Sequence, residues 1–308
     1  MLPGHLLCFL IILYTWPGLK NSFAEILRRE ILRKERFQPS TFIMTERGEY
    51  MMSPDRPDLD FLLRDSVDNG FRGFFLHYQP QFRTASGALY GAEALARWRC
   101  ARYGSVAPDE FIPILEESGR IAGFGKWVFR EAAARCAQWR RKRPDFRMSV
   151  NLSCRDLEQG DMERFALATL RRLGLPAENM VLELTESWPV PDSRGKDETV
   201  MRLRRTGMEL AMDDFGSGYS SLLSLQKFPF DLVKIDKAFI KGAAQGGARA
   251  AFVPSLARLC HSVGCQVCLE GVETKEEYEA VKPLGIEVMQ GYYFGRPVPA
   301  EEFERLYL

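Results

Sequence analysis

Short apolar runs recur along the chain from about Leu59 onward, and most end on or beside a strongly polar side chain. They predict eight strands, near Phe74 to Gln79, Leu89 to Leu95, Arg147 to Leu152, Met180 to Thr185, Met208 to Asp213, Leu232 to Asp236, Cys265 to Glu270 and Ile286 to Gln290. Helical patterns fill gaps and stop at breakers: Phe124 to Arg143 before Pro144, Asp161 to Leu173 before Gly174, Ala248 to Val263 before Gly264. Eight strands alternating with helices predict an α/β fold, a TIM-type (β/α)8 barrel. One junction breaks the rule, because the turn around Thr84-Ala85-Ser86-Gly87 is too short for a crossover helix. The first strand is therefore expected antiparallel to the second. An open doubly wound sheet is the alternative architecture.

The polar residues on these runs are Glu93, Asn151, Glu183, Asp213 with Asp214, Lys234 and Glu270. From Asn151 to Gln290 successive steps are 32, 30, 21, 36 and 20 residues, each about one strand plus one helix. In such barrels the carboxyl ends of the strands form one rim. The pattern thus delivers carboxylates to a common place.

Ahead of the barrel, expected over 59–308, lie two other segments. Residues 1–19 hold no Asp, Glu, Lys or Arg, with Leu6 to Leu13 as apolar centre, and read as a short membrane anchor or a packed apolar terminus. Lys20, Arg28, Arg29, Arg33, Lys34 and Arg36 follow and would hold the remainder in the cytoplasm, tethered to the inner face of the membrane if the segment inserts. Residues 20–58 read as a charged helical leader around Ala24 to Arg36 and a linker ending in Ser53-Pro54-Asp55-Arg56-Pro57. Lys and Arg total 42 against 41 acidic residues, a net charge of +1 that argues against polymeric nucleic acid as a partner. The 7 cysteines are scattered, which suits a reducing compartment. Cys265 and Cys268 are spaced as CxxC, but on a strand residues three apart face opposite ways, so buried packing is expected there.

Glu93, Asn151, Glu183, Asp213, Asp214 and Glu270 offer only oxygen ligands, which suits Mg2+ or Mn2+. Each residue alone could be a strand-end cap or a surface ion pair. Their coincidence on one rim argues for a shared site. Adjacent Asp213 and Asp214 allow two cations side by side, the arrangement suited to hydrolysing a phosphodiester. Lys234, a charge inside the apolar run Val233-Lys234-Ile235-Asp236, either serves the site by orienting or deprotonating water or pairs with Asp236. Arg97 offers a guanidinium fork to a phosphate or to a buried ion pair. The stretch from Asp214 to Ser221 mixes glycines and hydroxyls and is read either as a ligand loop or as an ordinary turn. On chemistry alone, a metal-dependent lyase or isomerase using Lys234 as base stays open.

An ordered set of motifs carries a resemblance: Tyr78-Gln79-Pro80, Glu93-Ala94-Leu95-Ala96-Arg97-Trp98, Phe111-Ile112-Pro113, Val150-Asn151-Leu152-Ser153, Glu183-Leu184-Thr185-Glu186, Asp213-Asp214-Phe215-Gly216, Lys234-Ile235-Asp236, Glu270-Gly271-Val272-Glu273-Thr274 and Gln290-Gly291-Tyr292. Over about residues 60 to 305 the chain resembles the EAL-domain cyclic di-GMP phosphodiesterases. The resemblance implies hydrolysis of cyclic di-GMP to linear pGpG with two divalent ions. Glu93, Asn151, Glu183 and Asp213 would hold one ion, and Asp213, Asp214 and Glu270 the second. Lys234 would assist the water, while Gln79, Arg97 and Gln290 would lie near the dinucleotide. Glu186 would anchor the loop after the fifth strand, where Ser217 stands at a position often threonine. The resemblance also implies a homodimer paired around that loop. Its alternative is a catalytically slow receptor that binds cyclic di-GMP without useful turnover.

Overall fold

The structure is a computed structural model that describes residues 42–44, 50–52, 56–153, 161–185, 194–216, 221–240 and 252–308. The chain divides into residues 1–58 and 59–308. In the first unit, Phe42–Met44 and Tyr50–Met52 form an antiparallel pair. The expected apolar segment 1–19 and the helix over Ala24 to Arg36 lie outside the described residues. No helix among the described residues is long and apolar enough to cross a membrane.

The second unit is a closed barrel of eight strands: β1 (Phe74–Arg83), β2 (Leu89–Cys100), β3 (Arg147–Leu152), β4 (Met180–Thr185), β5 (Glu209–Phe215), β6 (Leu232–Ile235), β7 (Gln266–Leu269) and β8 (Val288–Gln290). Neighbours pair in chain order, β8 pairs with β1, and the ring is complete. Closure excludes the open doubly wound sheet. As expected, β1 runs antiparallel to β2, and it is antiparallel to β8 as well; the pairings from β2 through β8 are parallel. Gly104–Val106 adds a short antiparallel strand on the outer end of β2, and the unit also holds helices α1 (Leu59–Asp68), α2 (Pro108–Glu117), α3 (Ile121–Trp139), α4 (Met162–Leu173), α5 (Arg194–Arg205), α6 (Ser221–Lys227), α7 (Phe252–Ser262), α8 (Lys275–Val281) and α9 (Ala300–Tyr307).

The β1–β2 hairpin is longer than expected, reaching Arg83 on one strand and Cys100 on the other. On β1 the added residues Gln81 to Arg83 pair with β8 inside the ring, while on β2 Ala96 to Trp98 go on bonding to the start of β1, beyond the pairing with β3. Aromatic side chains cover this extension: Phe74 stacks on Trp98 at 5.6 Å and meets Phe111 edge-on at 5.5 Å. Helix α9 seals the outer side of β1, with Phe303 stacked on Trp139 at 4.6 Å. Helix α3 begins at Ile121, ahead of the expected Phe124, because Gly123 and Gly125 are tolerated inside it.

Two-residue periodicity decides what fills the barrel. Val181, Ala211, Leu232, Cys268 and Val288 form, with Tyr90, a buried apolar cluster inside the ring. Two residues further along the same five strands stand Glu183, Asp213, Lys234, Glu270 and Gln290. Side chains two apart share a face, so each polar group stands above an apolar one, toward the carboxyl end. The lower layer packs; the upper layer carries charge.

Candidate active site

Lys234 stands at the centre of the upper layer and is 1% exposed. Its Nζ lies 2.6 Å from Glu183 Oε2, 2.9 Å from Glu270 Oε1, 3.0 Å from Asp213 Oδ1 and 3.5 Å from Glu93 Oε2. Pairing with Asp236 does not occur: that carboxylate accepts from the Ala238 N–H at 2.7 Å and caps the next turn. Burial pulls the Lys234 pKa down, but Asp213, Glu183, Glu270 and Glu93 outweigh it and hold the ammonium well above its usual value.

One ammonium does not balance four carboxylates, three of them buried and Glu270 partly so. Burial pushes the Glu183 carboxyl well up, with Glu93 adding to the rise, and it pushes Glu270 up to about 8. Glu93 goes the other way. Burial opposes its ionisation, yet Lys234, Gln290 and Asn151 together hold its carboxyl below the usual range. Its Oε1 accepts from Asn151 Nδ2 at 2.8 Å and its Oε2 from Gln290 Nε2 at 2.6 Å. The cluster is short of positive charge.

The adjacent aspartates reach the same place through a break in the strand. Pairing of β5 with β6 shifts between Met212 and Phe215, so two residues are accommodated where one would continue the ladder. Asp214 takes a left-handed backbone, φ 56°, which Asp adopts more readily than most residues. In a regular strand neighbours point to opposite faces; here one ligand oxygen from each of Asp213, Asp214 and Glu270 lies within 4.8 Å of the others. The set fits a hard divalent cation. All donors are oxygens, negative charge is in excess, and Glu183 Oε1 is buried without a hydrogen-bond partner.

Gln79 and Gln290 meet beside this cluster, Gln290 Nε2 donating to Gln79 Oε1 at 3.0 Å. Gln81, not anticipated from the sequence, donates from Nε2 to Gln290 Oε1 at 2.9 Å and thereby orients the amide that holds Glu93. Its signal was available: an amide two residues beyond Gln79 on a strand buried on that face. Arg97 is half-buried further along β2, where its Nη1 donates to the Ala96 carbonyl at 2.8 Å, and no carboxylate is ion-paired to it among the described residues. Glu186 and Ser217 lie outside the described residues.

A cavity of about 190 Å3 opens over the rim, lined by Gln79, Glu93, Glu270, Gln290, the motif residues Gly271 and Tyr292, and Lys237, which was not singled out from sequence. A larger cavity, about 520 Å3, lies outside the barrel against Tyr78, Trp127 and Arg135. None of the clustered carboxylates lines it, so the smaller cavity is the candidate site. The CxxC residues play no part there. Cys265 donates to the Phe230 carbonyl at 3.2 Å, Cys268 belongs to the apolar layer, and both are buried free thiols.

The sequence profile of the EAL domain matches residues 63–297. The chain belongs to the EAL-domain family. It is 35% identical over 252 residues to the oxygen sensor protein DosP of Escherichia coli, covering 82% of this chain and 31% of that protein. With the cyclic di-GMP phosphodiesterase PdeR of the same organism it shares 33% over 249 residues, 81% of this chain and 37% of the relative. This EAL chain thus spans about a third of the length of these curated relatives. Among solved structures, a PaMucR phosphodiesterase in complex with c-di-GMP superposes with a TM-score of 0.72 at 33% identity, covering 78% of this chain and 99% of that one.

Proposed function

We propose that this EAL domain hydrolyses cyclic di-GMP to linear pGpG with two Mg2+ or Mn2+ ions. The observation that carries the reading is the cation-short group of Glu93, Glu183, Asp213 and Glu270 around Lys234. Relatives named for this activity support the choice of substrate. Glu93, Asn151, Glu183 and Asp213 would hold one ion, and Asp213, Asp214 and Glu270 the other. When bound, the pair would neutralise charge building on the phosphate and acidify a water molecule.

The chain's own groups do the rest. Lys234 keeps its proton on Nζ and donates to the attacking water, which fixes the direction of attack. The water oxygen bonds to phosphorus and the P–O3′ bond breaks. Glu270 would take the water's proton, and a proton from solvent would convert the departing 3′ oxygen to a hydroxyl. Arg97 offers its remaining N–H groups to a phosphate, while Gln79 and Gln290 line the dinucleotide's side of the cavity. Glu186 would anchor the loop after β5, with Ser217 within it, and a second copy of the chain would pair around that loop. Residues 1–19 would contact the inner face of the membrane, which fractionating cells with and without that segment tests.

Purified chain incubated with cyclic di-GMP and Mn2+ is expected to release pGpG, and Glu93→Gln to lower the rate by roughly 100-fold or more. Tight binding without turnover in either Mg2+ or Mn2+ would sink the hydrolase in favour of the receptor.

A further inference from the structure

Lys237 places a second positive charge at the cavity, one with no ion pair among the described residues. It opens the 3-10 turn Lys237–Phe239 just after β6, and the Asp236 cap fixes that turn. Gly271, at φ 70°, packs against its stem so closely that a Cβ there would overlap the Lys237 Cβ. The stem is therefore held in place while the side chain lines the rim cavity with Glu93, Glu270 and Glu273. Among the described residues the Lys237 ammonium has no hydrogen bond or ion pair. Of the other nearby cations, Lys234 is held by four carboxylates and Arg296 lies over the Tyr292 ring at 4.0 Å, while Arg97, with one N–H given to the Ala96 carbonyl, can serve only one of two phosphates.

A cyclic dinucleotide carries two phosphodiester anions, held apart by its ring. The carboxylate cluster can act on one at a time. The other must enter an acidic cavity, where an unneutralised phosphate would be repelled. We propose that Lys237 binds the phosphate that is not being cleaved, acting on substrate affinity and not on the chemical step. This rests on cyclic di-GMP being the substrate.

The test compares the purified full chain with Lys237→Met, which keeps the stem that packs under Gly271, and Lys237→Arg, which restores charge. In Lys237→Met, KM for cyclic di-GMP is expected to rise about tenfold, the effect of losing one charged hydrogen bond. Its kcat should stay within about twofold, because the interaction is the same in ground and transition states. Lys237→Arg should recover most of the affinity. Added salt should weaken binding to the wild type more than to Lys237→Met. An unchanged KM in Lys237→Met, or a collapse of kcat at constant KM, overturns the inference while wild-type turnover leaves the substrate reading standing. A wild type that binds without turnover moves the same comparison to Kd, with equal Kd values overturning it. A wild type that neither binds nor cleaves removes the substrate reading, and this inference with it.

Discussion

The two layers inside the barrel are carried by the same strands, yet they are opposite in chemistry. Below, Val181, Ala211, Leu232, Cys268 and Val288 form an apolar cluster with the Tyr90 ring. Above, Glu183, Asp213, Lys234, Glu270 and Gln290 crowd charge and amides into a space that water barely reaches. Burial in the lower layer stabilises the fold through packing. In the upper layer the desolvation of charge opposes folding and is offset only by pairing. A strand can thus hold its position with one residue and hold reactive charge with the next on that face.

Removing the one cation of the upper layer should have the largest effect. Lys234→Met leaves Glu93, Glu183, Asp213 and Glu270 facing one another without an ammonium. The expected loss is about 3–5 kcal/mol of unfolding free energy in EDTA, from breaking a buried ion pair on one side. Mn2+ should restore more stability to this variant than to the wild type, because the ion supplies the missing charge. Turnover should stay low even in Mn2+ if Lys234 directs the water as proposed. Guanidinium unfolding with and without Mn2+ measures the first two effects. Equal stability of both chains in EDTA would mean that the ammonium is not what balances the layer.

The lower layer should fail differently. Leu232→Ala removes a fully buried side chain two residues before Lys234 and leaves a cavity, with an expected cost of about 2–5 kcal/mol. Below its own melting temperature the variant should cleave cyclic di-GMP with kcat close to wild type. A kcat that falls in step with stability would show that the two layers are mechanically coupled, and would remove the distinction between them.

Part of this arrangement was legible before any coordinates. The spacing of strand-length runs put Glu183 and Lys234 toward one rim, and the short turn at Thr84 to Gly87 gave the reversed first strand. The convergence of Asp213 and Asp214 was not legible in physical terms, because it depends on a bulge and a left-handed Asp214 that no local pattern of hydrophobicity encodes. Sequence adjacency suggested two ligands; strict alternation would have separated them. Gln81 was passed over because its role is indirect, orienting Gln290, which in turn holds Glu93. The full length of the hairpin was not legible: Gln81 to Arg83 of β1 pair with β8 in the ring, while Ala96 to Trp98 of β2 pair with the start of β1, where Phe74 stacks on Trp98.

Cys268 gives the gentlest test, because it belongs to the apolar layer and also to the CxxC spacing that a metal or redox site would use. Burial pushes its thiol well above the usual range, raises that of Cys265, and pushes Cys136 and Cys260 up to about 12. The thiolate is the reactive form, so these groups should be inert at mild pH in the folded chain. With Cys8→Ser and Cys154→Ser, which remove the cysteines outside the described residues, native protein at about pH 8 should give almost no reaction with a disulfide reagent, whereas guanidinium should expose all 5 remaining thiols. Rapid native labelling of Cys265 and Cys268, or stoichiometric Zn2+ bound between them, would place chemistry at the apolar end. Silence there leaves charge and reactivity concentrated at the other end of the same strands, two residues along.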